Sequence, residues 1–156
     1  MLNKYASAFI DQVDKQGVEC SVRTIRGTDG GIIRYECVTG SDEDHFFKLT
    51  EEERKKAMVW LRYNLIPAEK PLYGHTSYGM KHILERRLNL YMTNNQFKEA
   101  MLAVGFFPSK VDELNWNFCV RKSSPMFQRQ IDDQFGMPMM GEPMKYERRA
   151  AEDNCQ

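Results

Sequence analysis

The sequence lacks the cysteine patterns and apolar runs that would assign it to several common protein classes. Its four cysteines are widely separated, with no Cys-x-x-Cys pair and no cysteine–histidine spacing typical of zinc sites. No stretch approaches the roughly 20 consecutive apolar residues that span a bilayer, and the N-terminus carries no apolar signal core. We therefore expect a cytoplasmic protein with reduced thiols, no metal or other cofactor, and no membrane partner.

The sequence also lacks an excess of positive or negative charge. Lysine and arginine number 22, aspartate and glutamate number 22, and the formal net charge is zero. A dedicated nucleic-acid binder normally carries a clear basic excess, so the whole chain does not have that character. Residues 75–122, however, hold seven basic and four acidic side chains. This local charge of +3, the difference of those two counts, is compatible with contacts to phosphate.

The first third of the chain predicts a helix followed by a β-hairpin. Apolar residues recur at helical spacing over residues 2–16, and Gly17 stands where a helix C-cap glycine would. Residues 18–24 and 33–37 then alternate between apolar and polar on either side of a glycine-rich turn, as two half-buried strands do. A short third strand is predicted over residues 45–49.

Two capping boxes mark the starts of later helices. Thr50 is followed three positions later by Glu53, and Thr93 is followed by Gln96 in the same way. Trp60 and Trp116 lie on the apolar sides of their segments and are expected in the core. The elements predicted after the hairpin are a helix from Thr50 that ends before Pro67, a helix over 77–89, a short strand over 90–92, a helix from Thr93 to Gly105, and a strand over 116–120.

These elements indicate an α+β fold, with an N-terminal helix, a β-hairpin and further helices packed on a small antiparallel sheet. At 156 residues the chain is long enough for one domain with a real core, which we place at residues 1–135. Residues 70–122 form a helix–strand–helix–strand module within it. Residues 136–156 show no periodicity and contain two prolines and two glycines, so a flexible C-terminal tail is predicted there.

The segment that says most about function runs from His75 to His82 and reads His-Thr-Ser-Tyr-Gly-Met-Lys-His. It contains two of the three histidines of the chain, with a tyrosine and a lysine between them. On a helix its apolar and polar residues separate, because successive positions are about 100° apart. The expected polar face contains Tyr78, His82 and Glu85, with Lys81 and Arg86 at its margins and His75 joining from the lead-in turn; the opposite face contains Met80, Ile83 and Leu84.

These residue types suit the cleavage of RNA without a metal. RNA carries its own nucleophile, the 2′-hydroxyl, so cleavage requires a base, an acid and a cation near the phosphate. His75 and His82 are candidates for the base and the acid, Lys81 for the cation, and Tyr78 for orienting the phosphate or donating a proton. The segment lacks the carboxylate cluster of a two-metal nuclease. Two alternatives stay open, namely RNA binding without cleavage and an ordinary surface pair of tyrosine and histidine.

Further polar side chains of the middle segment are candidates for nucleic-acid contact. Tyr73 and Tyr91 are expected to be exposed and able to stack on bases. The candidate nucleic-acid-binding residues are Lys81, Arg86, Asn94, Asn95, Lys98, Arg121 and Lys122.

The order of elements in residues 70–122 also fits a winged helix-turn-helix. The helix from Thr93 would then be the recognition helix and would offer Asn94, Asn95 and Lys98 to DNA. Its exposed face contains few arginines, and the candidate wing at 107–113 is not basic. A DNA-binding accessory regulator is therefore the second interpretation.

Three motifs carry a resemblance to known proteins: His75-Thr-Ser-Tyr-Gly-Met-Lys-His82, Thr93-Asn-Asn-Gln-Phe-Lys-Glu-Ala-Met-Leu102, and Asn115-Trp-Asn-Phe118. Together they resemble small accessory proteins of mobile elements from Gram-positive bacteria. Genes of this kind lie among accessory genes where anti-CRISPR and other counter-defence proteins occur, and some type II anti-CRISPR proteins bind Cas9 or damage its guide RNA. The resemblance implies a counter-defence role in the cytoplasm of a bacterial host, with a CRISPR nuclease or its guide RNA as partner. It assigns no catalytic residue.

Overall fold

The computed structural model describes residues 7–11, 13, 22–38 and 42–128. Within these residues the α+β class is confirmed, because helices accompany a small antiparallel sheet. The predicted tail at 136–156 lies outside the described residues, as does the end of the predicted domain beyond residue 128. The strands are β1 (Val22–Arg26) and β2 (Ile32–Cys37). The helices are α1 (Glu51–Asn64), α2 (Ser77–Leu88) and α3 (Asn94–Ala103), and residues 7–11 and 13 are also helical. The 3₁₀ turns are Asp42–Asp44, Phe46–Lys48 and Pro125–Phe127.

The predicted hairpin is confirmed. Strands β1 and β2 pair antiparallel, and Gly30 closes the turn with a φ of 84°, a left-handed conformation that glycine adopts without strain. Near the turn the register slips: Ile25 faces Arg34, whereas Arg26 faces Ile32. Ile33 is therefore an extra residue on β2, which makes this a β-bulge.

Both predicted capping boxes are present. At the start of α1, the Thr50 hydroxyl accepts from the Glu53 amide at 3.1 Å, and the Glu53 carboxylate accepts from the Thr50 amide at 2.9 Å. Thr93 and Gln96 exchange the same two bonds, at 3.1 and 2.9 Å, at the start of α3. Each box satisfies two backbone donors that a helix start otherwise leaves unpaired.

The core lies between the three helices and the segment after α3. Trp60 and Trp116 are buried, as predicted from their positions. No helix in the described part of the chain is long and apolar enough to cross a bilayer. The largest side chains in this core include Trp60, Leu61, Met80, Leu84, Phe97, Met101, Trp116 and Phe118.

Three of the predicted strands are wrong. In each of these segments the backbone bonds to another part of the chain instead of pairing with a strand. Residues 45–49 contain a 3₁₀ turn, because the Phe46 amide donates to the carboxylate of Glu99 at 2.9 Å. At 90–92, the amide of Met92 donates to the Glu85 carboxylate at 3.0 Å instead of to a strand. The sheet of the described residues consists of the two hairpin strands alone.

The segment 116–120 fails as a strand for a related reason. Its backbone bonds irregularly to the connector between α1 and α2: Cys119 accepts from Ala68 at 3.0 Å, and Phe118 accepts from Leu72 at 2.9 Å. Among the described residues this segment forms only isolated bridges, such as the one between Pro67 and Val120. The alternation in the sequence therefore predicted the burial of Trp116, Phe118 and Val120 correctly, but it predicted neither the burial of Cys119 nor the pairing of the backbone.

Candidate functional site

Helix α2 is held in place at its N-terminus and along its inner face. The Ser77 hydroxyl donates to Asn94 Oδ1 at 3.0 Å and accepts from the Trp116 amide at 3.0 Å, which joins the helix start to α3 and to the segment that follows it. Met80 and Leu84 are fully buried, one turn apart. The outward residues of α2 are therefore presented from a fixed scaffold.

The carboxylate of Glu85 is the centre of the polar cluster on α2. Its Oε1 atom lies 3.1 Å from Lys81 Nζ and 3.0 Å from His82 Nδ1, and Oε2 accepts from the Met92 amide at 3.0 Å. Burial raises the pKa of Glu85, but the bonds from Met92, Lys81 and His82 outweigh it, so the pKa lies below its ordinary value. Glu85 is thus held as a carboxylate at neutral pH.

The bond to Glu85 also fixes the tautomer of His82. A carboxylate oxygen only accepts hydrogen bonds, so Nδ1 of His82 carries a proton. In the neutral ring Nε2 then has a free lone pair, and the side chain is 45% exposed. His82 can therefore accept a proton or a hydrogen bond from a ligand.

Two exposed tyrosines flank a buried lysine beside this histidine. Lys81 Nζ lies 5.3 Å from the centroid of the Tyr78 ring and 5.8 Å from that of Tyr91. Tyr78 is 52% exposed and Tyr91 is 75% exposed, whereas Lys81 is only 5% exposed. Tyr78 also contacts His82 edge-on, with ring centroids 4.5 Å apart. We call Tyr78, His82 and Tyr91 the aromatic surface.

The expectation that Lys81 lies at the margin of the polar face is wrong. Its ammonium contacts the Glu85 carboxylate, which balances its charge, and both tyrosine rings. Long lysine side chains usually extend to water, and this one is held back by a carboxylate and two cation–π contacts. Lys81 is a buried residue that contacts the rings of Tyr78 and Tyr91, and its ammonium is not free to bind a phosphate.

His75 does not join the cluster on α2. Its ring stacks on Phe127, with centroids 4.0 Å apart and planes at 19°. In the part of the chain that the structure describes, His75 has no hydrogen bond or ring contact with Tyr78 or His82. Burial, and secondly the charge of Lys122, lower its pKa, so the imidazole is neutral at neutral pH. The two histidines thus occupy different surroundings.

The remaining candidates divide into exposed and buried residues. Arg86, Arg121 and Lys122 are exposed and available to phosphate. Asn95 is half-buried, and Asn94 is engaged, since its amide donates to the Leu114 carbonyl at 3.1 Å.

Lys98 is buried, and its Nζ lies 4.6 Å from the centroid of the Trp116 ring. Burial lowers its pKa. The expectation that Lys98 is exposed on a recognition helix is therefore wrong. Residues 96–102 of α3 are buried throughout, which leaves little of this helix to enter a DNA groove.

One polar cluster of the fold has no signal in the sequence. The Glu99 carboxylate accepts from the Cys37 amide at 2.9 Å and from the Phe46 amide at 2.9 Å, and it lies 2.8 Å from His45 Nδ1. Cys37, His45 and Glu99 are all buried. Burial and the nearby Glu99 charge raise the pKa of Cys37 to about 12, so its thiol is not a nucleophile at neutral pH. The cluster joins the hairpin and the 3₁₀ turn to α3.

No group of three or more histidine, cysteine, aspartate or glutamate side chains within residues 7–11, 13, 22–38 and 42–128 is arranged to hold a metal ion. Comparison with protein-family models, curated proteins and solved structures gave no match to this chain.

Proposed function

We propose that this chain is a counter-defence protein that binds unpaired RNA, such as the guide RNA of a CRISPR nuclease, through its aromatic surface. The observation that carries the proposal is a pair of exposed tyrosines, Tyr78 and Tyr91, whose rings both contact Lys81. The Tyr78 ring also contacts the half-exposed His82. The motif resemblance supports the counter-defence role, and the aromatic surface supports the binding of RNA.

Unpaired bases stack on exposed aromatic rings without regard to their sequence, and each such contact contributes about 1–3 kcal/mol of binding free energy. His82 adds a hydrogen-bonding group to the same surface. Arg86 follows His82 by four residues on α2 and is exposed, so it lies one turn further along the same side of the helix and can contact a phosphate. A surface that stacks bases on the two tyrosine rings and binds a phosphate through Arg86 suits a single strand of RNA.

We propose binding and not cleavage. Cleavage without a metal requires an acid and a base on opposite sides of one phosphate. The Nε2 atom of His82 is suitable as a base, but His75 stacks on Phe127 and not on the rings of the aromatic surface. A surface that binds the guide RNA would compete with the nuclease for it.

The test measures binding of fluorescent single-stranded RNA, the guide RNA and duplex DNA at one stated salt concentration, by anisotropy. We expect the single-stranded and guide RNAs to bind, and Tyr78→Ala and Tyr91→Ala each to weaken binding about tenfold or more. Leu114→Ala removes a 79% exposed side chain outside the aromatic surface and serves as the control.

The same samples are then resolved on a denaturing gel with and without EDTA. Intact RNA supports binding alone, whereas shortened RNA would show that the protein cleaves RNA. Preference for duplex DNA would favour the accessory regulator. Equal RNA affinity of the parent, Tyr78→Ala and Tyr91→Ala would remove the proposed site.

A further inference from the structure

A second surface, which shares no residue with the aromatic surface, combines an apolar groove with a positively charged rim. The groove lies between β2, α1 and the end of α3 and has a volume of about 320 Å³. Ile32, Ile33, Met58 and Leu102 line it. Ile32 and Ile33 are 48% and 62% exposed, which is unusual for large aliphatic side chains that follow one another.

The β-bulge explains why two consecutive isoleucines line one groove. In a regular strand, successive side chains point to opposite faces of the sheet. Here Ile33 is the extra residue between the pairs Ile25–Arg34 and Arg26–Ile32, and a bulge redirects the side chain of its extra residue. Both side chains therefore contribute to the same apolar surface.

The groove continues along the outer side of α1. A shallower depression of about 460 Å³ shares Met58 with it and adds Val59. Met58 is an adaptable contact residue, because its side chain is unbranched and polarizable. The two features meet at Met58, and we call them together the Met58 groove.

The rim of the Met58 groove is positively charged. Arg54, Lys55 and Arg62 line the α1 side, with Glu51 as the acidic residue there. Arg54 donates to the carbonyls of Phe47 and Leu49, which orient its charge without neutralising it. Lys55 and Arg62 are exposed and have no hydrogen bond or ion pair among the described residues.

The other charged groups that face the groove are already paired. Arg34 binds the carboxylate of Glu36 at 3.0 Å. Glu99 directs its oxygens to His45 and to two backbone amides. The rim therefore carries a net positive charge, because Arg54, Lys55 and Arg62 outnumber Glu51.

We propose that the Met58 groove binds an acidic amphipathic helix of a partner protein. An apolar stripe on such a helix would pack on Ile32, Ile33 and Met58, and its acidic side chains would face Lys55 and Arg62, in the helix-in-groove mode of peptide recognition. Complementary charge would steer the partner and fix its orientation. The groove shares no residue with the aromatic surface, so this proposal does not depend on RNA binding.

The probe is a synthetic, fluorescently labelled peptide of about 18 residues, or five turns, with leucine on one face and glutamate on the other. Two control peptides keep its length: one has the same composition in scrambled order, and one has lysine in place of glutamate. By anisotropy, we expect the acidic peptide to bind about tenfold or more tightly than either control. Raising the ionic strength from about 0.05 to about 0.5 M should weaken this binding.

Variants of the full chain locate the contact. Ile33→Ser and the pair Lys55→Glu with Arg62→Glu should each weaken acidic-peptide binding about tenfold, and the charge-reversed pair should improve binding of the lysine peptide. Lys110→Glu, at a lysine whose side chain is 70% exposed outside the groove, is the control. Circular dichroism checks that each variant is folded.

Three results would overturn the proposal. They are equal binding of the acidic and scrambled peptides, acidic-peptide binding that the groove variants do not change, and a concentration-dependent dimer that Ile33→Ser abolishes, since a second copy would then occupy the groove.

Discussion

The carboxylate of Glu85 binds the ammonium of Lys81 one turn earlier on the same helix, with Nζ and Oε1 3.1 Å apart. Because Lys81 is almost fully buried, this is not an ordinary surface pair between a glutamate and a lysine. The same carboxylate also fixes His82 and the backbone at Met92. One acidic residue therefore sets the position of the groups beneath and beside the aromatic surface.

Replacement of Glu85 by glutamine should destabilise the protein. The amide keeps the shape but leaves the buried Lys81 charge without a counter-charge, and it accepts from one oxygen only. We expect a loss of about 2 kcal/mol in the free energy of unfolding, measured by urea denaturation. Glu69→Gln changes an exposed acid and is the matched control. Equal stability of the two variants would show that Glu85 carries no such role.

The contribution of Glu85 should also depend on pH in one direction. Its pKa in the folded protein lies below the ordinary value of 4.5, so near and below pH 4.5 the unfolded chain takes up the proton first. The stability from Glu85 is therefore complete above that pH and is lost as the pH falls through the folded pKa. Unfolding curves of the parent and Glu85→Gln should differ at pH 7 and converge as the pH falls below 4.5. A constant difference would contradict the assignment.

Local signals in the sequence identified the elements that local interactions stabilise. Thr50 and Glu53 are three residues apart, so their mutual bonds form within a single turn and can be read from the sequence. The hairpin is similarly local. Residues 45–49 had the composition of a strand, yet Glu99, more than 50 residues away, binds the Phe46 amide and imposes another conformation. No short-range pattern contains that information.

The aromatic surface could be predicted only in part. Helical periodicity placed Tyr78 and His82 on the outer face and Met80 on the inner face, and burial in the structure agrees. The burial of Lys81 depends on Tyr91, which belongs to the segment after the helix and has no fixed relation to α2 in the sequence. His75 stacks on Phe127, which is 52 positions later in the chain, so this contact could not be predicted from the sequence either.

The buried carboxylate of Glu99 should be more important for stability than its position on a helix suggests. In Glu99→Gln, the amide group would face backbone N–H donors at Cys37 or Phe46 and leave at least one of them unpaired. We expect a loss of about 2–4 kcal/mol, since a buried unsatisfied donor adds to a broken contact with His45. Glu113→Gln, at a partly exposed site, is the control in the same urea experiment. A loss below about 1 kcal/mol would show that the cluster is dispensable.

The thiol of Cys37 should resist alkylation while the protein is folded. It is buried, and its pKa of about 12 leaves almost no thiolate at neutral pH. Treatment with iodoacetamide followed by peptide mass mapping should leave Cys37 unmodified in buffer and modify it in urea. Rapid labelling of Cys37 in the folded protein would contradict its burial at the end of β2.

The two faces of α2 should separate stability from RNA binding. Met80→Ala and Leu84→Ala empty buried volume and should each lower the free energy of unfolding by about 2–5 kcal/mol. Tyr78→Ala and His82→Ala alter exposed side chains and should lower it by less than about 1 kcal/mol. RNA affinity should respond in the reverse order, because the inner residues do not touch a ligand and the outer ones form its site. The RNA affinities of the variants are measured by anisotropy, well below the melting temperature of each variant. If the outer variants unfold as readily as the inner ones, Tyr78 and His82 are structural residues. If they remain folded with undiminished RNA affinity, the aromatic surface is not where RNA binds.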